Sequence, residues 1–439
     1  MVKIGRVFAR QVLDSRGIPT VEAEVSTDKG VFSAIVPSGT SAGKHEALEL
    51  RDGGKEYFGK GVLKAVSNVN KTIAPQVQGK SFSSQKELDD VLLSLDGTQN
   101  KSRLGANAIL SVSMAFSRAM AAEQGKELFE FLGESFGNKK FVLPYPQSVF
   151  ISGGAHADKS TDFQEFMVMP TGLKTFTSAL QCVAEVYHRL AEILKKKDMH
   201  TNVGKEGSFA PNLKTLSLAI AGGFAPRLES NSMAFELLSI AVEEAGYSIG
   251  KDVSFALDVA ASEFFKNGKY VLETEGKTLA GGELVDVYGE LLDVFPIVSV
   301  EDGFAEDDFE SFSEFTKKFG HRVQVVGDDL LVTNVERIKK AVQLKACNAL
   351  LLKPNQIGTV SEALEAARLA FDSKWSVVVS HRSGDTEDAF IADLAVGIGC
   401  GQIKTGALAR SERTAKYNRL LRIEEKLGTN AIFGRKFFV

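Results

Sequence analysis

The sequence predicts an α/β chain: a β/α barrel over residues 144–439, preceded by a smaller α+β domain over residues 1–136. Three observations predict it. The first is a rhythm of short apolar runs, each ending in a charged or polar side chain and followed by an amphipathic segment. The second is the spacing of those end residues. From Glu301 through Asp328, Lys353 and His381 to Lys404, the steps are 27, 25, 28 and 23 positions. One strand-plus-helix unit takes about that length, since barrels of roughly 200–300 residues hold eight units. The third is GNKKFVLPYPQ (137–147), whose two prolines read as a linker between unlike halves.

In the N-terminal half, VEAEVSTDKGVFSAIVP (21–37) alternates in strand fashion and breaks at a DKG turn, a hairpin signal. Helical stretches are expected near 60–72, 84–94 and 104–124, the last ending at Gly125. In the second half the strand-like runs are VSFALD to Asp258, IVSVED to Glu301 and Asp302, and VQVVGDD to Asp328 and Asp329. NALLLK to Lys353, SVVVSHRS with His381, and GQIK to Lys404 follow. Between them lie helical patterns such as DDFESFSEFTKKFG, NVERIKKAVQLK, TVSEALEAARLAF and TEDAFIADLAVG. An open doubly wound sheet could share this rhythm, but it would spread the end residues along a line. A closed barrel of parallel strands gathers them at one mouth, and that is the expectation.

Composition narrows the function classes. Hydrophobic residues make up 44% of the 439 positions and charged ones 25%, ample for a buried core. Lys and Arg total 52 against 56 Asp and Glu, a net charge of −4, so no basic field exists to hold nucleic acid or anionic lipid. Cys182, Cys347 and Cys400 are scattered, with no CxxC pair. That argues for a reducing compartment and against a disulfide framework or structural zinc. No signal-peptide pattern or run of ~18 apolar residues occurs, so a cytoplasmic protein is expected.

Asp258, Glu301 and Asp328 are carboxylates at three strand ends, with neither cysteine nor histidine at ligand spacing. Oxygen donors on rigid elements suit a hard cation, Mg²⁺ before Ca²⁺ or Zn²⁺. Each acid could instead cap the helix that follows it. Lys353 and Lys404 end apolar strands, where desolvation and a second cation would lower a lysine pKa and make a base. They could also simply neutralise the acids. His381-Arg382-Ser383-Gly384 offers a guanidinium fork and turn N–H groups to a phosphate or carboxylate. Upstream, GGAHADKSTDFQEFMVMP contains His156, Gln164 and Glu165, and NVGKEGSFAPN contains Glu206; glycine-flanked acids in early barrel loops are general-acid candidates.

The chain resembles the enolase family over essentially its whole length. The motifs are DSRGIPTVE (14–22), VPSGTSAGKHEALELRD (36–52), LDGTQNKSRLGANAIL (95–110), QEFM (164–167), LDVAASEFF (257–265) and VEDGFAEDD (300–308). GDDLLVTN (327–334), LLKPNQIGT (351–359), SHRSGDTEDAFIADLAVG (380–397) and IKTGALARSER (403–413) continue the series. The resemblance implies reversible dehydration of 2-phosphoglycerate to phosphoenolpyruvate. Lys353 would remove the C2 proton, and Glu206 would assist loss of the C3 hydroxyl with Glu165 beside it. Asp258, Glu301 and Asp328 would hold one Mg²⁺. Ser38, in the loop 37–43, would join a second Mg²⁺ arriving with substrate. Arg382 and Ser383 would grip phosphate, Lys404 the carboxylate, and His156 and His381 would complete the site. It further implies a homodimer acting on a small molecule, with no nucleic-acid or membrane partner. A catalytically weakened paralogue serving as a binding or structural protein is the alternative. The terminal Phe437-Phe438-Val439 lacks the C-terminal lysine often used by enolases that bind plasminogen, so such surface binding has no support here.

The chain also departs from the family pattern. Lys205 stands where Asp is usual, Ser152 where Asn is, Gly303 and Leu408 where Pro is, and Ile18 in place of an Asn; Pro354 directly follows Lys353. A cation next to Glu206 favours its ionised form and lowers its pKa, the wrong direction for a proton donor. Lys205→Asp is therefore expected to turn over faster than the native chain with Mg²⁺. A variant no faster than native would refute this pKa argument.

Overall fold

The computed structural model describes residues 1–40, 43–156, 161–197, 199 and 230–434. Lys205 and Glu206 thus lie outside the described residues. The chain opens with an antiparallel sheet of β1 (Arg6–Leu13), β2 (Pro19–Thr27) and β3 (Gly30–Ile35), in that order. The expected hairpin is β2–β3, turning at Asp28-Lys29. Sequence patterning did not reveal β1, because Arg10 and Gln11 interrupt its apolar alternation. Arg10 is not misplaced: its guanidinium pairs with Glu22 and Glu24 on β2 at 2.5 and 2.7 Å.

The three expected helical stretches form. The first is built from Leu63–Asn68, a π-turn over Val69–Ile73, and Ala74–Val77; the others are α1 (Gln85–Asp96) and α2 (Ala106–Glu123). Ser84 caps α1 by accepting the Glu87 N–H, and Gly97 ends it in the left-handed region. α2 is buried almost all round, as its small residues require, because it packs on the sheet on one side and on segments near residue 360 on the other.

α3 (Leu128–Phe136) leads to an eight-stranded closed barrel. Its strands are β4 (Tyr145–Ser152), β5 (Glu165–Met169), β6 (Ser254–Asp258), β7 (Ile297–Glu301), β8 (Gln324–Gly327), β9 (Ala349–Leu352), β10 (Ser376–Ser380) and β11 (Gln402–Lys404). The expectation of a wholly parallel barrel needs correcting. β5 runs antiparallel to both β4 and β6, whereas β6 through β11 and the β11–β4 closure are parallel. Part of the predicted linker is also strand, since β4 begins at Tyr145 and pairs with Gln402.

The helices between strands follow the predicted segments: α4 (Phe309–Phe319), α5 (Val335–Leu344), α6 (Val360–Asp372) and α7 (Phe390–Ile398). Asp308, Asn334 and Thr359 cap the first three by accepting N–H groups of their first turns. None of these caps is a strand-end acid. Glu301 and Asp328 are thereby left for other work.

Deep in the barrel, apolar layers such as Val326, Ala349, Leu351 and Val378 surround three amides. Gln402 on β11 accepts from Gln147 on neighbouring β4 at 2.9 Å and exchanges bonds with Gln324 on β8 at 2.8 and 3.2 Å. Because β8 is not adjacent to β11, this network crosses the interior and satisfies polar groups that burial would otherwise penalise.

The N-terminal part docks on the barrel through partly buried pairs. Lys101 meets Glu362 at 2.6 Å, Arg118 meets Asp388 at 2.7 Å, and Asp89 accepts from the Ser361 hydroxyl at 2.6 Å. α3 lies against α7, where Gly133 and Gly397 let two backbones approach. A Cβ at Gly397 would sit 2.8 Å from the Phe129 carbonyl and 2.9 Å from the Leu132 Cβ. Gly397→Ala is expected to cost about 1–3 kcal/mol. Gly282→Ala, where an added Cβ meets nothing nearer than 3.6 Å, is expected to be neutral or stabilising. Denaturant midpoints of the two variants check this, and equal midpoints would contradict it.

Candidate active site

The mouth of the barrel collects charge from every side. Glu165, Asp258 and Glu301 are register partners across β5, β6 and β7. β5 runs backwards and Glu165 is its first residue, so it reaches the same end as residues that close parallel strands. Asp328, Lys353 and His381 each follow the last residue of β8, β9 and β10, and Lys404 is the last of β11. Ser380 pairs with Lys404 across β10 and β11, which levels those two strand ends.

Lys404 reaches across this mouth. Its Nζ lies 2.7 Å from Asp258 Oδ2, 2.9 and 3.0 Å from the two Glu301 oxygens, and 3.0 Å from Glu165 Oε2. Lys353 Nζ lies 2.5 Å from Asp328 Oδ2. All these side chains are between 1% and 13% exposed, so their charges interact with little screening.

The two lysines do not balance the acids. Burial, and then the charge of Asp258, push the Glu301 carboxyl well above the usual carboxylate range. Burial also acts to raise Asp328, but the Lys353 charge and hydrogen bond, with Arg382 and Lys404, outweigh it and hold Asp328 low. Asp329 is pushed up to about 7 by burial and by Asp328. The lysine expectation needs correction: burial works to lower Lys353, yet the charge of Asp328 outweighs it and the pKa is raised.

Buried oxygen donors in excess over nearby cations are what a hard divalent ion fits. Asp258, Glu301 and Asp328 are suited to it. A second grouping is Asp302, Asp328 and Asp329, whose nearest oxygens lie within 4.8 Å of one another. Asp302 serves another purpose there. Its Oδ1 and Oδ2 accept the backbone N–H groups of Asp328 and Asp329, each at 2.8 Å, and its own φ is +44°. Asp302 thus fixes the turn that presents Asp328. Next door, Val332 and Thr333 also hold positive φ, and the Thr333 hydroxyl accepts the Lys353 N–H at 2.9 Å.

On the opposite wall, Arg382 and Ser383 face the loop from Ser38. Thr40 donates its N–H to Ser383 Oγ at 2.8 Å, and Ser38 exchanges two backbone bonds with Gly384 at 2.8 Å. Ser38 itself is fully buried. Its hydroxyl donates to Glu49 Oε2 at 3.0 Å and accepts from Arg51 at 2.8 Å. In this arrangement its hydroxyl is engaged by Glu49 and Arg51 of the N-terminal part, and the metal role expected of it belongs to the proposed function. Ser41 and Ala42 of the same loop lie outside the described residues. His156 Nδ1 is 3.1 Å from Glu165 Oε1, which adds a histidine to the lysine side of the mouth.

Two residues of this network, Arg413 and Glu46, were not singled out in the sequence, and a third, Asp302, was placed only at a strand end without a role. Arg413, fully buried, brings Nη1 to 2.7 Å from His381 Nδ1 and donates to the Arg382 and Ser383 carbonyls at 2.7 and 2.8 Å. A guanidinium only donates, so His381 Nδ1 accepts and the ring proton sits on Nε2. Glu46 grips Arg382, and Asp302 grips the Asp328 turn. All three lie within the family-like motifs, but nothing in their spacing marks the contacts they make.

Of the departures, Pro354 opens a short helix (Pro354–Ile357), a position proline favours. The Gly303 carbonyl accepts the Tyr288 hydroxyl at 2.6 Å, Leu408 packs on the core, and Ser152 pairs with Glu165 across β4 and β5. Ile18 donates its N–H to Asp14 at 3.1 Å.

Comparison with known proteins decides what this arrangement belongs to. The chain matches the family models for the enolase N-terminal domain over residues 4–132 and for the enolase C-terminal TIM barrel domain over residues 140–221 and 217–439. The chain belongs to the enolase family. It is 51% identical over 440 aligned residues to proteins named enolase from Thermococcus kodakarensis and Thermococcus gammatolerans, covering 99% of this chain and 98% of each relative. Family membership makes Mg²⁺ the expected hard ion, in agreement with the oxygen donors at the mouth. No helix among the described residues is long and apolar enough to cross a membrane.

Residues behind metal ligands commonly set affinity as strongly as a factor of 10–100. Asp302→Asn replaces one of two acceptors with a donor facing a backbone N–H. It is therefore expected to weaken Mg²⁺ binding by about that factor, read by calorimetric titration. Unchanged affinity would remove Asp302 from the support of the site.

Proposed function

We propose that this chain acts as a phosphopyruvate hydratase, a lyase that interconverts 2-phospho-D-glycerate and phosphoenolpyruvate with loss or gain of water. The observation that carries the reading is the shared mouth. Lys353 after β9, Asp258 of β6 and Asp328 after β8 line one pocket with the buried Arg382 and Ser383, and Glu301 of β7 meets Lys404 of the same lining, in a chain of this family. Mg²⁺ held by Asp258, Glu301 and Asp328 would supply positive charge that stabilises the negative charge developing on the substrate carboxylate.

This chain's own residues do the rest. Lys353 takes the C2 proton on Nζ once it is neutral, a form favoured when a cation on Asp328 offsets the charge that raises the Lys353 pKa. Glu206, outside the described residues, gives a proton to the departing C3 hydroxyl, and the C2–H and C3–O electron pairs are exchanged for a C2–C3 double bond and water. Glu165, His156, Lys404 and His381 line the pocket together. Lys404 meets the substrate carboxylate, and Arg382 and Ser383 grip the phosphate.

A second Mg²⁺ entering with substrate would complete the charge balance, and Ser38 could serve it only after leaving Glu49 and Arg51. A cytoplasmic homodimer, with the division at 1–136 and 144–439, is the organisation this reading implies. Formation of phosphoenolpyruvate from 2-phosphoglycerate should require Mg²⁺ and vanish with chelator. Lys353→Met is expected to lose on the order of 10²–10⁴ in kcat while still binding Mg²⁺. A variant with near-native turnover would remove Lys353 from the role of base.

A further inference from the structure

Arg382 does not wait at the mouth as a lone cation. Its Nη1 donates to Glu46 Oε2 at 3.0 Å and its Nη2 to Glu46 Oε1 at 3.1 Å, a fork-to-fork pair between side chains only 5% and 7% exposed. Glu46 comes from the N-terminal part of the chain, 336 positions away. The same Oε1 accepts the Gly43 N–H at 3.0 Å and the Gln356 amide at 3.4 Å. Gln356, itself buried, also donates to Asp328 Oδ1 at 2.9 Å. One carboxylate therefore touches the backbone at the end of the Ser38 loop, the guanidinium assigned to phosphate, and an amide that also holds a metal-ligand candidate.

We propose that Glu46 is a positioning residue for Arg382, setting the plane in which the guanidinium meets the substrate phosphate. The inference rests on the function proposed above and adds to it a residue with no part in the chemistry. A guanidinium is planar, so fixing two of its N–H groups fixes the direction of the others. Arg382 stands at the end of β10, on a turn already held by Ser38 and Thr40 through Gly384 and Ser383. Without Glu46 the backbone would remain in place while the long side chain regained its rotamers. Phosphate binding would then have to restore the orientation at its own cost. The opposite role is also physically definite: a carboxylate on the guanidinium could compete with phosphate, and its removal would tighten binding.

The two roles predict opposite shifts. In full-length Glu46→Gln, KM for 2-phosphoglycerate is expected to rise on the order of tenfold to a hundredfold, with a smaller change in kcat. The dissociation constant of inorganic phosphate, measured by calorimetry, should rise in parallel. Glu46→Asp, which keeps the charge but shortens the reach, should recover part of both. A merely structural loss lowers the active fraction and hence kcat, leaving KM and phosphate affinity of the folded molecules unchanged. Unchanged or tighter phosphate and substrate binding in Glu46→Gln overturns the proposal, as does a native chain that binds no phosphate. A native chain that binds phosphate but forms no phosphoenolpyruvate would overturn the proposed function alone, since the phosphate comparison would still decide the role of Glu46.

Discussion

One ammonium group organises the functional end of this molecule. Lys404 Nζ stands within 3.0 Å of carboxylate oxygens from Glu165, Asp258 and Glu301, which lie side by side on β5, β6 and β7. Three carboxylates in register would repel one another in a low-dielectric setting. Lys404 comes from β11, separated from β5 by β4, so only a closed barrel brings it across to them. Closure and charge balance are thus linked: the sheet must curl for the acids to be tolerated. Even then one ammonium stands against three carboxylates, and burial, with the charge of Asp258 after it, pushes the Glu301 carboxyl up. Such a residual excess of negative charge suits a divalent ion far better than a closed, self-neutral core would.

On the remaining walls, four of the described functional groups are each held by a second residue. Asp302 holds the Asp328 turn, Thr333 holds the Lys353 backbone, Arg413 holds the His381 ring, and Glu46 holds Arg382. Each supporter comes from a different stretch of chain than the group it orients, or from a strained turn beside it. The N-terminal domain contributes directly, through Glu46, Thr40 and Ser38, which explains why its docking on the barrel is built from partly buried ion pairs and close backbone contact.

Much of this was legible in the sequence because a β/α unit has a nearly fixed length. The strand-end series from Asp258 to Lys404 falls at one mouth, and the helices between follow their amphipathic patterns. Glu165 was harder, since it begins an antiparallel strand and the run EFMVM carries its acid at the wrong end for a parallel barrel. The first three residues of β4 fall in the expected linker because Pro144 and Pro146 flank Tyr145, and the rest of the strand ends in serine rather than in a charged residue. Glu46, Asp302 and Arg413 act through contacts that no local pattern encodes, and Gln147, Gln324 and Gln402 meet only once the barrel closes. The direction of the Lys353 shift could not be read from burial alone, because it depends on a partner 25 positions away in sequence. Ser38 illustrates the same limit: its motif is clear, but its hydroxyl is engaged by Glu49 and Arg51.

The central claim is that the acids facing Lys404 and Lys353 are assembled to hold a divalent cation. Its most direct test is the thermal midpoint of the native chain and of Glu301→Gln, followed as Mg²⁺ is raised from a chelated start. Ligand linkage predicts a native midpoint that climbs with the logarithm of Mg²⁺ once its dissociation constant is passed. Glu301→Gln should begin at least as stable, since it removes a buried acid whose ionisation is opposed, and should lose most of the Mg²⁺ increment. Equal increments in both proteins, or none in the native chain, would contradict the account.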